Sequence, residues 1–348
     1  MARPKFLTFF CDTRRLLRRA STPTANVISG LLIAGLGTAA VAPGALAATF
    51  CAQTADAALA ACQNDVNVTF FTSKGICINE TDDKDRATCN ADAQTEKTDG
   101  LQRCKDQKQE RLRVCAIVGD GRGGRYDPEF EPSQFANPDR IGDNVKPNPY
   151  FPLVRGTVFT YQEKMPNGRP SGQVTTDTVT NKTKLIDGIT CRVVEDVVKK
   201  NGVVIELTDD WFAQDLAGNV WYCGELARVF ETFKGDRPQD PELTTIDGSF
   251  KAERNGDKPG IIALAAPSVH DAYYEEFSLE NAEDAAEVTS LTGSAAVPAA
   301  MCDKTCLVTR NTSSIDLDLE TKYYAPGVGL ILEVDPDGTR NELIKVSH

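Results

Sequence analysis

The chain has 348 residues, and its 50 Asp and Glu outnumber its 38 Lys and Arg, which gives a formal net charge of −12 at pH 7. That charge excludes binding to nucleic acid or anionic lipid through bulk electrostatics. The chain has only two histidines, His270 and His348, so a histidine-ligated zinc hydrolase is excluded as well.

Residues 1–47 predict a cleavable export signal. A basic stretch is followed by an apolar run over 27–47, which ends in Ala-Leu-Ala at 45–47, the small-x-small pattern that signal peptidase recognises. The alternative is an uncleaved anchor helix. The arginine pair at 14–15 leaves open whether export follows the general or the twin-arginine route. We expect a soluble exported protein, in the periplasm or outside the cell.

Residues 48–118 predict a small cysteine-rich helical module. Cys51 and Cys62 are eleven residues apart in an Ala-rich run, and Cys104 and Cys115 have the same spacing in a Lys/Gln/Glu/Arg-rich run. Eleven residues are almost three helical turns, so each pair lies on one face of its helix. Six cysteines allow fifteen connectivities, so the pairing is a geometric preference only. The preferred disulfides are Cys51–Cys115, Cys62–Cys104 and Cys77–Cys89.

The module lacks a CxxC pair and any histidine. Metal and haem sites normally need one or the other, so we expect disulfides formed in an oxidising compartment, and no cofactor. Residues 119–147 follow as a turn-rich linker, with a glycine run and four prolines. Its acidic residues do not follow the order of a calcium-binding loop, and its glycines lack the ending of a phosphate loop.

Residues 148–348 predict an antiparallel β-domain. Short alternating segments are separated by turn signals, among which Asn201-Gly202 and Asp337-Gly338 are strong hairpin signals. About a dozen strands in consecutive hairpins predict a meander that forms a curved sheet or a barrel. The fold class is therefore mainly β, preceded by a disulfide-stapled helical hairpin.

The β-domain holds the four remaining cysteines of the exported part of the chain. We expect Cys191 and Cys223, on neighbouring strands, to form a disulfide. Cys302 and Cys306 are expected to close a small loop at the start of a strand. The alternative for this CxxxC pair is a copper or redox site, which the absence of a nearby His or Met motif disfavours.

Three motifs span most of this domain: NPYFPL…GTVFTY at 148–161, WFAQD…GNVWY at 211–222, and KYYAPGVGL at 322–330. As a set, they resemble a group of uncharacterised bacterial exported proteins and lipoproteins built as antiparallel β-domains. The resemblance implies export and a β-fold. It implies no activity, so no functional residue carries over. The chain departs from the group in its disulfides.

Catalytic chemistry has little support in the sequence. A Ser-His-Asp triad would need His270, but no G-x-S-x-G elbow occurs, and a surface histidine is the favoured interpretation. Two acidic pairs lie beside aromatic residues: Asp209-Asp210 before Trp211, and Glu275-Glu276 after two tyrosines. Paired carboxylates near aromatic rings are typical of glycosidases.

Two hypotheses follow. The first is a non-catalytic binding or structural envelope protein, with no catalytic residues, whose partner is an apolar ligand or an envelope or extracellular protein. It contacts a membrane only through its signal segment during export. The alternative is a carboxylate-dependent hydrolase that acts on polysaccharide. An interior lined only by apolar side chains would favour the first, and two inward carboxylates beside Trp211 or Trp221 in an open groove would favour the second.

Overall fold

The computed structural model of the chain describes residues 49–118 and 125–348. The predicted signal segment 1–47 and the glycine run at 119–124 lie outside the described residues. Two helices are followed by fourteen strands that belong to one antiparallel sheet. The predicted fold class, a mainly β chain that begins with a stapled helical hairpin, is confirmed.

The hairpin consists of helix α1 (Phe50–Ile78) and helix α2 (Asp83–Ile117). Thr49 and Asp82 cap their first turns, because each side chain accepts a hydrogen bond from a backbone N–H. At Gly100 the helices approach so closely that an added Cβ would lie 2.9 Å from the Val66 side chain. No helix among the described residues has an apolar stretch long enough to cross a membrane.

Three disulfides join the two helices at the base, the middle and the tip of the hairpin: Cys51–Cys115, Cys62–Cys104 and Cys77–Cys89. The helices bury few apolar side chains between them, mainly alanines such as Ala55, Ala58 and Ala93. A core of that size stabilises a helix pair weakly, so the cross-links hold the hairpin together. These disulfides are consistent with export to an oxidising compartment.

The segment that follows the hairpin runs along the sheet from residue 125 and contains two short 3-10 helices, Pro132–Gln134 and Pro138–Arg140. Phe130 and Ile141 in this segment are buried against the sheet. The strands are β1 (Val158–Lys164), β2 (Pro170–Ile186), β3 (Ile189–Lys200), β4 (Val203–Gln214), β5 (Val220–Glu231), β6 (Glu242–Thr245), β7 (Phe250–Lys251), β8 (Gly260–Ala263), β9 (Ala272–Ser278), β10 (Ala282–Val297), β11 (Ala300–Ser313), β12 (Leu319–Ala325), β13 (Gly329–Val334) and β14 (Arg340–Ser347).

The sheet curls until its two ends approach each other. Its order is β6-β5-β4-β3-β2-β1-β14-β13-β12-β11-β10-β9, and β7 and β8 also pair with β5. Beside β8, Lys258 donates its backbone N–H to the carbonyl of Phe277 in β9, 2.9 Å away. A Cβ added at Gly260 would lie 1.9 Å from the carbonyl oxygen of Glu275, so only glycine permits this approach. The ladder of hydrogen bonds is not closed in the described part of the chain.

The two faces of the sheet are both buried over β3, β4 and β5. The inner face carries the main core, with Phe212, Tyr222 and Leu343 among its members. The outer face carries a second cluster around Trp211, which residues 130–135 and the disulfide Cys191–Cys223 cover.

The disulfide Cys302–Cys306 lies inside β11, and not in a loop at the start of a strand as the sequence predicted. In the register of β10 and β11, Cys302 is opposite Ala295 and Cys306 is opposite Gly293. Three residues of β11 therefore face one residue of β10, which is a bulge. The sequence did not show this, because a bulge and a loop place two cysteines at the same spacing.

Candidate functional site

A row of four buried carboxylates crosses the inner face of the sheet, one from each of strands β2 to β5. They are Asp177, Asp196, Asp210 and Glu225, here called the acidic row. Asp177 is directly opposite Asp196, and Asp210 is directly opposite Glu225. Each side chain is at most 3% exposed. Like charges in directly opposed positions repel each other, so the row cannot be fully ionised without a counter-charge.

A further carboxylate pair faces the row from the other end of the sheet. Glu276 in β9 is directly opposite Asp284 in β10. Burial raises the pKa of Glu276 well above its usual value, and the charges of Asp284 and Glu225 raise it further. The charge of Asp210 contributes to the same shift. The interior of the sheet therefore brings acids from six strands within electrostatic range.

Burial raises the pKa of Asp210 to about 8, although a hydrogen bond from Tyr222 acts in the opposite direction. The Tyr222 hydroxyl contacts Asp210 Oδ1 and lies 2.9 Å from Glu225 Oε2. A hydroxyl has one hydrogen to donate. Tyr222 can therefore donate to only one of the two carboxyl groups. The other contact is a hydrogen bond only if that carboxyl group is protonated and donates to the Tyr222 oxygen.

Several oxygens of these buried acids have no hydrogen-bond partner among the described residues. Asp177 is 1% exposed, and neither of its carboxylate oxygens is hydrogen-bonded. One carboxylate oxygen each of Asp196, Asp210 and Glu276 also lacks a hydrogen-bond partner. Burial and then the charge of Asp210 raise the pKa of Asp177 well above its usual value. Unpartnered buried oxygens are costly and require an explanation.

A second acidic group lies on strands β12 and β13 and just beyond. Carboxylate oxygens of Glu320, Glu333 and Asp335 lie within 4.8 Å of one another. Lys322, which is 3% exposed, places its Nζ 3.5 Å from Glu320 Oε2. Burial lowers the pKa of Lys322, but the charges of Glu275, Glu320 and Glu333 outweigh it and hold that pKa well above the usual value.

Of the four acids in the two pairs that the sequence indicated, three point into the interior of the sheet and one points outward. Asp210 and Glu276 reach the same interior, whereas Asp209 points outward and accepts a hydrogen bond from Arg228 Nη2 at 2.7 Å. Glu275 also lies inside and accepts a hydrogen bond from Asn311 Nδ2 at 2.8 Å. Trp211 belongs to the outer cluster, on the opposite face of β4 from Asp210. The inward acids are thus not flanked by a tryptophan in an open groove.

The histidine considered for a triad lies at the surface. The side chain of His270 is 84% exposed, and its Nδ1 lies 3.7 Å from Glu287 Oε1. Asp271 Oδ2 accepts the backbone N–H of Ser268, which organises the turn around His270. These contacts are those of a surface turn.

A groove of about 640 Å³ lies between the helical hairpin and the β9 end of the sheet. We call it the hairpin groove. Aromatic rings from three parts of the chain line it, with Tyr126 stacked edge-on against Tyr274 at a centroid distance of 4.6 Å and 5.0 Å from Phe277. Phe50 adds a half-exposed ring, over which the Arg125 guanidinium lies at 4.3 Å. Burial raises the pKa of Tyr274 to about 12, so its hydroxyl is neutral at physiological pH.

Arg111 of α2 lies at the groove and joins the hairpin to the sheet. Its Nε and Nη2 donate to the two carboxylate oxygens of Glu283, at 2.8 and 2.7 Å. The guanidinium is almost fully buried, yet its Nη1 has no hydrogen-bond partner among the described residues. Glu283 raises the pKa of Arg111, although burial acts to lower it. A buried cationic donor at a groove is suited to a ligand oxygen.

Of the acidic row, only Asp210 had been indicated by the sequence; its other three members and Arg111 had not. Asp177 shares a strand face with Val179, which lies in the core, and that period of two was the available signal for an inward acid. Arg111 lies in a highly charged helical run, where a buried member has no distinguishing pattern.

None of the protein-family models and none of the curated proteins matches the chain. Among solved structures, the chain is similar to an exported protein with a YmcC-like fold from Bacteroides fragilis. The sequence identity is 13%, the match covers 57% of this chain and 99% of that chain, and the TM-score is 0.34. At this distance the likeness carries no inference about the site or its ligand.

Proposed function

We propose that the chain is an exported, non-catalytic binding protein of the periplasm or the extracellular space, and that it binds a small apolar molecule in the hairpin groove. The observation that carries the proposal is Arg111, a buried guanidinium with one unpartnered nitrogen at a groove lined by aromatic rings. Ligand sites are commonly concave, largely apolar and supplied with a few placed polar groups.

The charges around the groove favour a ligand with little net charge. Arg111 is already paired with Glu283, and Lys258 Nζ lies 2.7 Å from Asp127 Oδ1. What remains is an aromatic surface, the donor Arg111 Nη1, and the Arg125 guanidinium, which lies over the Phe50 ring. We infer a ligand with an apolar, ring-containing body and an oxygen that accepts a hydrogen bond.

The polysaccharide hydrolase has no comparable support. Asp210 and Glu276 are 0% and 2% exposed, so a glycan chain cannot reach them without opening the sheet. A hydrolase also needs room for water between or beside its two carboxylates. We therefore favour binding over catalysis.

The test fills the groove with a large side chain and measures the affinity of the protein for a fluorescent probe. Nile red is uncharged, has an aromatic body and a carbonyl oxygen that accepts a hydrogen bond, and it fluoresces when it leaves water. Thr54 lines the groove on α1, so Thr54→Trp should weaken probe binding by about tenfold, the equivalent of losing roughly 1.4 kcal/mol. Arg111→Lys keeps the charge but removes the spare donor, and it should weaken binding less.

The matched control is Thr72→Trp, which adds the same ring at an exposed position of the same helix, away from the groove. Native mass spectrometry of the protein purified after export reports any retained small molecule, which Thr54→Trp should lose and Thr72→Trp should keep. Equal probe binding by the two tryptophan variants would contradict the proposal.

A further inference from the structure

We propose that the acidic row binds one calcium ion in the interior of the sheet. The site is separate from the hairpin groove and does not depend on the function proposed for that groove. Its ligands are carboxylate oxygens of Asp177, Asp196 and Asp210, with Glu225 and Glu276 beside them.

The register places these side chains close enough to share one ion. Asp177 and Asp196 are directly opposite, and directly opposed residues have Cβ atoms roughly 5 Å apart. Asp210 is opposite Val194, two residues before Asp196, so it is the diagonal neighbour of Asp196 on the same face. As placed, the oxygens of the acidic row do not form a group within 4.8 Å of one another, so calcium binding requires these side chains to rotate toward one point.

The unpartnered oxygens point to a ligand independently of the number of acids. Both oxygens of Asp177 and one each of Asp196, Asp210 and Glu276 are buried without a hydrogen-bond donor in the described residues. None of these four residues forms a salt bridge with a Lys, Arg or His of the described chain. A cavity of about 20 Å³ borders Asp177 and gives its carboxylate room to turn.

The donor set selects calcium among the common cations. All the available ligands are hard oxygens, which suit calcium and magnesium, whereas zinc prefers nitrogen and sulfur. Magnesium requires near-octahedral geometry and keeps several waters, for which this buried interior offers little space. Calcium accepts irregular arrangements of six to eight oxygens, including bidentate carboxylates.

The group formed by Glu320, Glu333 and Asp335 has closely spaced oxygens but does not carry the proposal. Lys322 lies inside it and supplies the positive charge that its carboxylates need. The acidic row has no such cation. The two groups therefore serve as each other's control in an experiment on the intact protein.

The experiment measures calcium bound per chain and the shift in melting temperature. The protein is dialysed against a chelator and then titrated with calcium chloride to about 10 mM, tenfold above the weakest range of extracellular calcium modules. We expect one calcium ion per chain and a rise in melting temperature. The double variant Asp177→Asn/Asp196→Asn should bind calcium at least tenfold more weakly, and Glu320→Gln should bind it as the wild type does.

Asparagine has the shape of a protonated aspartic acid, so the double variant is expected to fold, and its circular dichroism spectrum and its melting in chelator report this directly. Three results would overturn the proposal: no calcium bound by the wild type, unchanged binding by the Asp177→Asn/Asp196→Asn variant, or loss of binding in Glu320→Gln alone. If the wild type binds no calcium, protons alone neutralise the carboxylates of the acidic row.

Discussion

The two acidic groups inside the sheet differ in one residue type. The group on β12 and β13 contains Lys322, and the acidic row on β2 to β5 contains no basic side chain. Both are almost fully buried, yet Lys322 is held charged by its neighbours while Asp210 has its pKa raised to about 8. The comparison shows that burial alone does not decide ionisation. Nearby charges oppose the effect of burial at Lys322 and add to it at Asp210.

The largest expected effect comes from removing Lys322, the buried cation of the group on β12 and β13. Lys322→Met leaves Glu275, Glu320 and Glu333 without the charge that they surround. Breaking a buried ion pair on one side typically costs about 3–5 kcal/mol, because the remaining charge is buried and unpaired. We expect a loss of that size in the free energy of unfolding, measured by urea denaturation at pH 7.

The control for this variant is Lys345→Met, which removes an exposed lysine of β14. Adding Glu320→Gln to Lys322→Met should restore part of the lost stability, since it removes one of the unpaired charges. If Lys322→Met were no less stable than Lys345→Met, the contrast between the two groups would be wrong.

The next effect is a dependence of stability on pH that originates in the row. The pKa of Asp210 is about 8 in the folded protein, above its value of about 3.9 in an unfolded chain. Between these values the folded state holds the proton and the unfolded state does not. The stability contributed by the protonated form is therefore full below pH 4 and is lost as the pH rises to 8, by up to about 1.4 kcal/mol per pH unit.

Asp210→Asn should flatten this part of the curve and make the protein more stable than the wild type at pH 8. Urea denaturation across this pH range measures it, without calcium and with a chelator present. The pKa values of Glu225 and Glu276 are raised as well, so both acids should add slope of the same sign. A wild-type curve that rises between pH 5 and pH 8 would contradict the raised pKa.

The smallest effect is expected next to Asp210 in the sequence. Asp209 lies on the outer face, 2.7 Å from Arg228 Nη2, and both side chains are partly exposed. An exposed pair of this kind contributes about 0.2–1 kcal/mol. Asp209→Asn should therefore cost less than about 1 kcal/mol. Because the charge of Asp209 helps to raise the pKa of Asp210, this variant should also lower the upper end of the sloping pH range slightly. A slope flattened as much as in Asp210→Asn would contradict the assignment of this slope to the inner face.

The helical hairpin was predictable because its constraint is covalent and periodic. Two cysteine pairs with equal spacing can face each other along two neighbouring helices, and a short connection between the helices makes them antiparallel, as in the hairpin that the structure contains. Most strands were predictable for a similar reason, since turn residues such as Asn201-Gly202 mark their ends. Here both residues have positive φ, which is why the sequence uses these types.

The strands that the sequence did not predict are short and lack alternation. Glu242–Thr245 and Gly260–Ala263 have four residues each, and they form strands because β5 offers them backbone partners. Val203–Gln214 is one continuous strand with a register shift between Trp211 and Phe212.

The interior acids were hidden for another physical reason. Alternation along a strand shows which residues share a face but not which face is buried, and here both faces of β4 are covered. Asp210 comes directly before Trp211 and points to the other face of β4. If the Trp211 face were the only buried one, Asp210 would point to solvent, yet it is buried inside the sheet. The expectation of no metal site rested on cysteine and histidine patterns and on the order of acidic residues in a continuous calcium-binding loop, neither of which detects acids that separate strands bring together.

The three cross-links of the hairpin also have a mechanical meaning. The hydrogen bonds of α2 to the sheet come from Gln107 and the turns after it, so about 24 residues, or roughly 36 Å at 1.5 Å per residue, extend from there to the tip. Helices cross-linked at base, middle and tip tilt as one body instead of bending. A force applied at the tip, near Cys77–Cys89, would be transmitted along the cross-linked helices to Phe50 and Cys115. These two residues line the hairpin groove, so displacement of the tip would change the width of the groove.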